Sequence, residues 1–128
     1  MTDATFSLPT LGAGPEYRDQ YVWLPQLLME SARAGQGVIA GRTFTGCTLE
    51  GPAVLVMLDG WDFEGCFFGE TDGDPGSLLL HTLGERGVAG VIPFRDCKFV
   101  NCNFRAVGFT GSRDFLEEML GVLRKVGA

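Results

Sequence analysis

Phe94-Arg95-Asp96-Cys97-Lys98-Phe99-Val100-Asn101-Cys102-Asn103-Phe104-Arg105-Ala106-Val107-Gly108-Phe109 carries a large ring at every fifth position, and Cys97, Cys102 and Val107 each stand two places before one. A helix repeats its buried face about every 3.6 residues and a strand every 2, so neither accounts for this step. The step belongs to a sequence repeat, and a repeat of short units indicates a solenoid. Two looser copies lie upstream, Phe44-x-x-Cys47-x-Leu49 and Phe63-x-x-Cys66-x-Phe68. One unit thus recurs across the middle of the chain and supplies its core.

From Val38 to Gly111 short apolar groups are broken by Gly, Asp and Asn, the pattern of short strands rather than helices. Val38, Ile39, Phe44, Leu49, Val54, Leu58, Phe63 and Phe68 are the expected inward positions. The interval from Phe44 to Phe63 is close to four units, which places Cys47 and Cys66 one above the other in successive coils as a thiol ladder. The next interval, Phe63 to Phe94, is longer by about a dozen residues and demands an insertion. Gly69 to Ser77 has the composition of an exposed loop, and such loops often carry a solenoid's specificity. Gly84-Glu85-Arg86-Gly87 reads as a tight connection beside it.

The flanks differ. Residues 1–15 form an irregular arm with Pro9, Gly12, Gly14 and Pro15. Residues 16–35 form an N-terminal helical segment, in which Pro25 confines the stronger helix to about Pro25 to Ala34 and leaves Tyr17 to Leu24 as an extended lead-in. Residues 112–126 read as a C-terminal helix. Ser112 is its cap, Phe115, Leu116, Met119, Leu120 and Leu123 form one face, and Arg124 and Lys125 suit its C-terminal dipole. Flanking helices serve a solenoid as lids over its open ends. The C-terminal face leaves a second reading open, pairing with its copy in a homodimer.

Read in fives, Cys97 to Asn101, Cys102 to Ala106 and Val107 to Gly111 resemble the pentapeptide-repeat family. That resemblance implies a mainly β fold, a short right-handed parallel β-helix of three to four coils over residues 38–111. Phe99, Phe104 and Phe109 would be its large inward residues, and Cys97, Cys102 and Val107 its small ones. The match is good over Asp96 to Gly111, partial over Thr43 to Gly69, and absent from the termini and from Glu70 to Val91. Gly41 to Cys47 followed by Gly51 to Leu55 also looks like small bacterial proteins of this type. Some members of the family bind DNA gyrase as acidic, DNA-shaped rods. Four coils give a rod of only about 20 Å, short for that role unless two chains join end to end.

With 128 residues and 45% apolar content the chain suits one domain. Its net charge of −6, with ten scattered Lys and Arg, argues against direct contact with nucleic acid. Met1 to Thr10 has no secretory pattern, and no apolar run approaches membrane-spanning length, so a cytoplasmic protein is expected. The four cysteines fall in the phase of the repeat, which explains them as buried free thiols without a disulfide or metal.

Glu70, Asp72 and Asp74 alternate around Gly73, a faint likeness to a calcium loop that lacks the rest of that framework. A solvated turn is the expectation. His81, the only histidine, has no nucleophile motif or orienting carboxylate at a recognisable spacing. Arg42, Arg86, Arg95 and Arg105 are expected to project from the coils as surface charges. The expectation is a non-enzymatic protein-interaction module without cofactor or metal, meeting a protein partner through its coil faces and through Glu70, Asp72, Asp74 and Arg86. The alternative is a small ligand binder or enzyme with a cleft beside Tyr17 to Leu28, using His81 and the 70–74 loop.

Overall fold

The structure is a computed structural model that describes residues 9–69, 79 and 91–125. Four three-residue segments, each a ring between shorter or polar side chains, make the first sheet. They are β1 (Glu16–Arg18), β4 (Thr43–Thr45), β6 (Asp62–Glu64) and β8 (Lys98–Val100). A strand alternates its faces, so the central ring turns inward while its neighbours turn out. Tyr17, Phe44 and Phe99 are buried and Phe63 is half-buried. All pairings are parallel and in register, Tyr17 on Phe44, Phe44 on Phe99, and Phe99 on Phe63. Parallel register repeats the strand spacing in the rings, which stack at 4.7, 5.1 and 5.0 Å with interplanar angles of 6°, 5° and 15°.

The residue after each of these strands takes left-handed backbone, with φ from 50° to 64°, at Asp19, Gly46, Asn101 and Gly65. Asx and Gly alternate through the stack. Each Asx side chain lies over the next glycine, so that a Cβ on Gly65 would collide with Asn101 Oδ1. The corner amides continue the ladder, for example Gly46 N–H to the Val100 carbonyl at 2.8 Å. One residue further on stand Cys47, Cys102 and Cys66. Their Sγ atoms donate to the carbonyls of Tyr17, Phe44 and Phe99 in the neighbouring strand, at 3.4, 3.2 and 3.3 Å. A small side chain with a weak donor fits a corner too tight for a larger one, which is why the thiols keep the repeat's phase without bonding. All four cysteines are free and buried.

Past the corner the chain enters the second sheet, formed by β2 (Tyr21–Trp23), β3 (Ile39–Ala40), β5 (Thr48–Met57), β7 (Ile92–Arg95) and β9 (Asn103–Gly111). Its order is β2-β5-β7-β3, and β9 also pairs with β5. Leu49 lies on Phe104 and Leu55 on both Phe109 and Ile92.

The expected right-handed β-helix is not what forms. A solenoid lays each turn on the turn that precedes it in the chain, whereas the first sheet runs β1-β4-β8-β6, with the late strand β8 between β4 and β6. Cys102 accordingly stands between Cys47 and Cys66, which had been expected to be neighbours. Among the described residues the chain is mainly β with two helices, in two parallel sheets whose strands are out of chain order. Every five-residue unit offers the same register to every other, so spacing fixes which residue faces inward but not which unit lies on which. Packing agrees with the order: β8, whose Phe99 is fully buried, lies between β4 and β6, and β6, with half-buried Phe63 and nearby exposed Phe67, takes the edge.

The inward phase also changes once. Leu55 and Met57 are buried where Val54 and Leu58 were expected. The pairing of β5 with β9 shifts between Glu50 and Ala53, and Gly51 packs so closely on the Ala106 carbonyl that a Cβ would collide with it. Two residues of β5 oppose one of β9 there, and the extra residue moves the inward position expected at 54 to Leu55, after which ordinary alternation buries Met57.

Helix α1 (Leu24–Arg33) has Pro25 in its first turn, where a missing N–H costs nothing, and buries Leu24, Leu27 and Ser31. Helix α2 (Arg113–Lys125) is capped by Ser112, whose Oγ accepts the Phe115 N–H at 3.1 Å. Phe115 and Met119 enter the chain's own core, and Trp61 meets the Phe115 ring edge-on at 5.0 Å.

Candidate functional site: a cleft over the first helix

The outer face of α1 is covered by residues 9–14, and main-chain recognition holds them there. Gln26 and Glu30 lie one helical turn apart on one face. The Glu30 carboxylate accepts the Leu11 N–H at 2.9 Å, the Gly12 N–H at 3.0 Å and the Gln26 side-chain amide at 2.9 Å. Gln26 Nε2 also donates to the Pro9 carbonyl at 2.7 Å, and the Tyr17 hydroxyl donates to the Gly12 carbonyl at 2.7 Å. Burial pushes the Glu30 carboxyl up, but the Leu11 N–H, the Gln26 amide, the Gly12 N–H and the Arg33 charge outweigh it and leave the group below its ordinary value.

Arg42 lies behind this arm. The sequence placed it among projecting cations, yet it is 4% exposed, whereas Arg95 and Arg105 do face solvent. The register of β3 on β7 sets Ile39 against Phe94, so Ile39-x-x-Arg42 copies Phe94-x-x-Cys97 and puts an arginine where the repeat has a small inward residue. Its Nη1 donates to the Tyr17 hydroxyl at 2.9 Å and its Nη2 to the Gln36 side-chain oxygen at 3.1 Å. Both acceptors are neutral. Burial raises the Tyr17 hydroxyl's pKa despite the opposing pull of Arg42, so the hydroxyl keeps its proton for Gly12. Among the described residues the sole ion pair is Arg18 with Glu16 on the surface, and Arg42 has no carboxylate partner. An uncompensated buried ion costs several kcal/mol, roughly, even after relaxation.

Arg42 opens on a cleft of about 800 Å³. Trp23 and Met29 give it apolar walls, and Arg33, Gln26, Glu30 and Gln36 give it polar ones. A second, more apolar cleft of about 600 Å³ lies along the same arm and is lined by Leu11, Tyr21 and Trp23. Volumes of roughly 300–1,000 Å³ suit small organic ligands. Arg33 sits in the last turn of α1, where a cation suits the helix dipole, and brings a second guanidinium to the larger cleft.

Glu70, Asp72, Asp74, Arg86 and His81 lie outside the described residues. The cleft was sought beside Tyr17 to Leu28, and Trp23 and Gln26 of that segment do line this one. Arg42 was legible only through the pairing of the Ile39 and Phe94 units, which spacing alone does not reveal.

The thiols form a separate cluster. The interaction of the Cys66 and Cys102 thiols lowers Cys66 against the opposing effect of burial and, together with burial, raises Cys102. Burial likewise raises Cys97. Among the described residues no group of His, Cys, Asp and Glu is arranged to hold a metal, and no helix is long and apolar enough to cross a membrane. Comparison with known proteins gives no match to a family model, to a curated protein or to a solved structure.

Proposed function

We propose that this chain is a non-enzymatic binding protein whose ligand enters the cleft between α1, residues 9–14 and Arg42. Arg42 carries the reading: a buried guanidinium, held in place by neutral acceptors, faces a ligand-sized space. The other polar groups there suit holding rather than transferring atoms, since both Glu30 oxygens are engaged by the arm, the Ser31 hydroxyl donates to the Gln36 carbonyl at 2.9 Å, and the rest are the Thr10 hydroxyl, amides and a second guanidinium. Four free, buried thiols favour a reducing compartment, the cytoplasm.

The test is amide chemical-shift mapping with a chemically mixed fragment set. Shifts gathered on residues 10–13, 23–36 and 42 support the reading, and shifts scattered over the surface overturn it. A second reading, docking of a protein partner, is favoured by Tyr21 and Met29, which are 57% and 51% exposed beside the two clefts. In that case Tyr21→Ser, outside the lining of the larger cleft, weakens partner binding while leaving fragment binding there intact.

A further inference from the structure

We infer that the ligand of this cleft is a small organic anion, its carboxylate or phosphate gripped by Arg42 with Arg33 beside it, and its apolar part lying between Trp23 and Met29. The inference rests on the cleft being the binding site. A guanidinium offers five N–H donors in a planar fork, and the bonds to Tyr17 and Gln36 engage only one on each terminal nitrogen. These two bonds orient the fork without neutralising it. Bidentate pairing with a carboxylate or phosphate supplies the missing charge and uses the remaining donors.

The sign of the cleft agrees. It brings together two guanidinia and one carboxylate, and that carboxylate already accepts N–H groups from Leu11, Gly12 and Gln26. A further cation would have to displace the arm to reach it. The chain's net charge of −6 opposes an anion at long range, but at physiological salt charges are screened beyond about 8 Å, so the local pair of arginines outweighs the distant carboxylates. Size excludes a bare inorganic ion as the full occupant, because the cleft measures about 800 Å³ and has an indole and a thioether on its walls.

The test uses 1-naphthoate, 1-naphthyl phosphate and the neutral 1-naphthamide at about 0.15 M salt, read by calorimetry and by the shift of the Trp23 indole N–H. At least one anion should bind about tenfold or more tightly than the amide, and the stronger of the two assigns carboxylate or phosphate. Arg42→Gln should remove that advantage and Arg42→Lys restore part of it. Arg33 is exposed, so Arg33→Gln should fold normally and lower anion affinity several-fold. Equal binding of amide and anions at the Trp23 signal overturns the anion inference and leaves the cleft reading standing. No Trp23 response to any of the three overturns both. Should Arg42→Gln fail to fold, unchanged anion affinity in Arg33→Gln overturns the inference.

Discussion

Replacing Phe99 by leucine keeps most of the buried volume and removes the ring at the centre of the stack. Phe99 is fully buried, lies face to face with Phe44 at 5.1 Å and Phe63 at 5.0 Å, and touches Phe94 and Phe104 at 5.9 and 5.4 Å. Aromatic pairs contribute about 0.5–1.5 kcal/mol each beyond area burial, so losing the two stacked faces should cost about 1–3 kcal/mol. Truncation to alanine adds a cavity and belongs at the upper end of the roughly 3–5 kcal/mol seen for buried Phe. Against a total stability of about 5–15 kcal/mol that variant risks unfolding, and leucine is the better probe. Urea denaturation should show a lower midpoint with an unchanged slope. Phe67→Leu, at a side chain 53% exposed, is the control and should be near neutral. A Phe99→Leu midpoint no lower than that of Phe67→Leu would refute the stacked core.

Glu30→Gln should loosen the arm, seen as faster amide exchange at Leu11 and Gly12. Because the Glu30 pKa is lowered in the folded chain, its contribution is complete above the ordinary value of 4.5 and is lost as pH falls through the lower folded value. The Leu11 and Gly12 amide signals should therefore hold steady from neutrality to 4.5 and move only below it. Gly65→Ala forces a side chain into left-handed backbone at φ 64° and onto Asn101 Oδ1, whereas Gly35→Ala at φ 79° meets nothing within 4 Å. The first should cost clearly more than the roughly 1–2 kcal/mol backbone penalty expected of the second, measured by thermal unfolding. Cys66, lowered where Cys97 and Cys102 are raised, should alkylate with iodoacetamide before either of those two. Faster reaction at Cys97 or Cys102 contradicts the direction assigned to the pair.

The inward set was largely legible. Phe99, Phe104 and Phe109 with Cys97, Cys102 and Val107 are all buried, as the step of five implies, and Ser112 caps the last helix as its place before an amphipathic run suggests. Strand order was not legible, because Phe44 can pair with Phe63 or with Phe99 in the same register and the choice depends on which unit can be buried on both edges. Val54 and Leu58 misled because the Gly51-Pro52 bulge changes the phase, and no spacing rule announces a bulge. Of the site, Trp23 and Gln26 fell in the segment where a cleft was sought. Arg42 was placed among the projecting cations, because a cation at an inward position contradicts the hydrophobic pattern used to find inward positions.

The claim beneath all of this is that the late strand Lys98–Val100 lies between Thr43–Thr45 and Asp62–Glu64, the arrangement in which the Ile39 unit, and with it Arg42, borders the arm. Cross-strand nuclear Overhauser contacts test it most directly. Phe44 should show them to Tyr17 and Phe99, and Phe63 to Phe99. Direct backbone contacts between Phe44 and Phe63, with Phe99 outside both, would contradict the account.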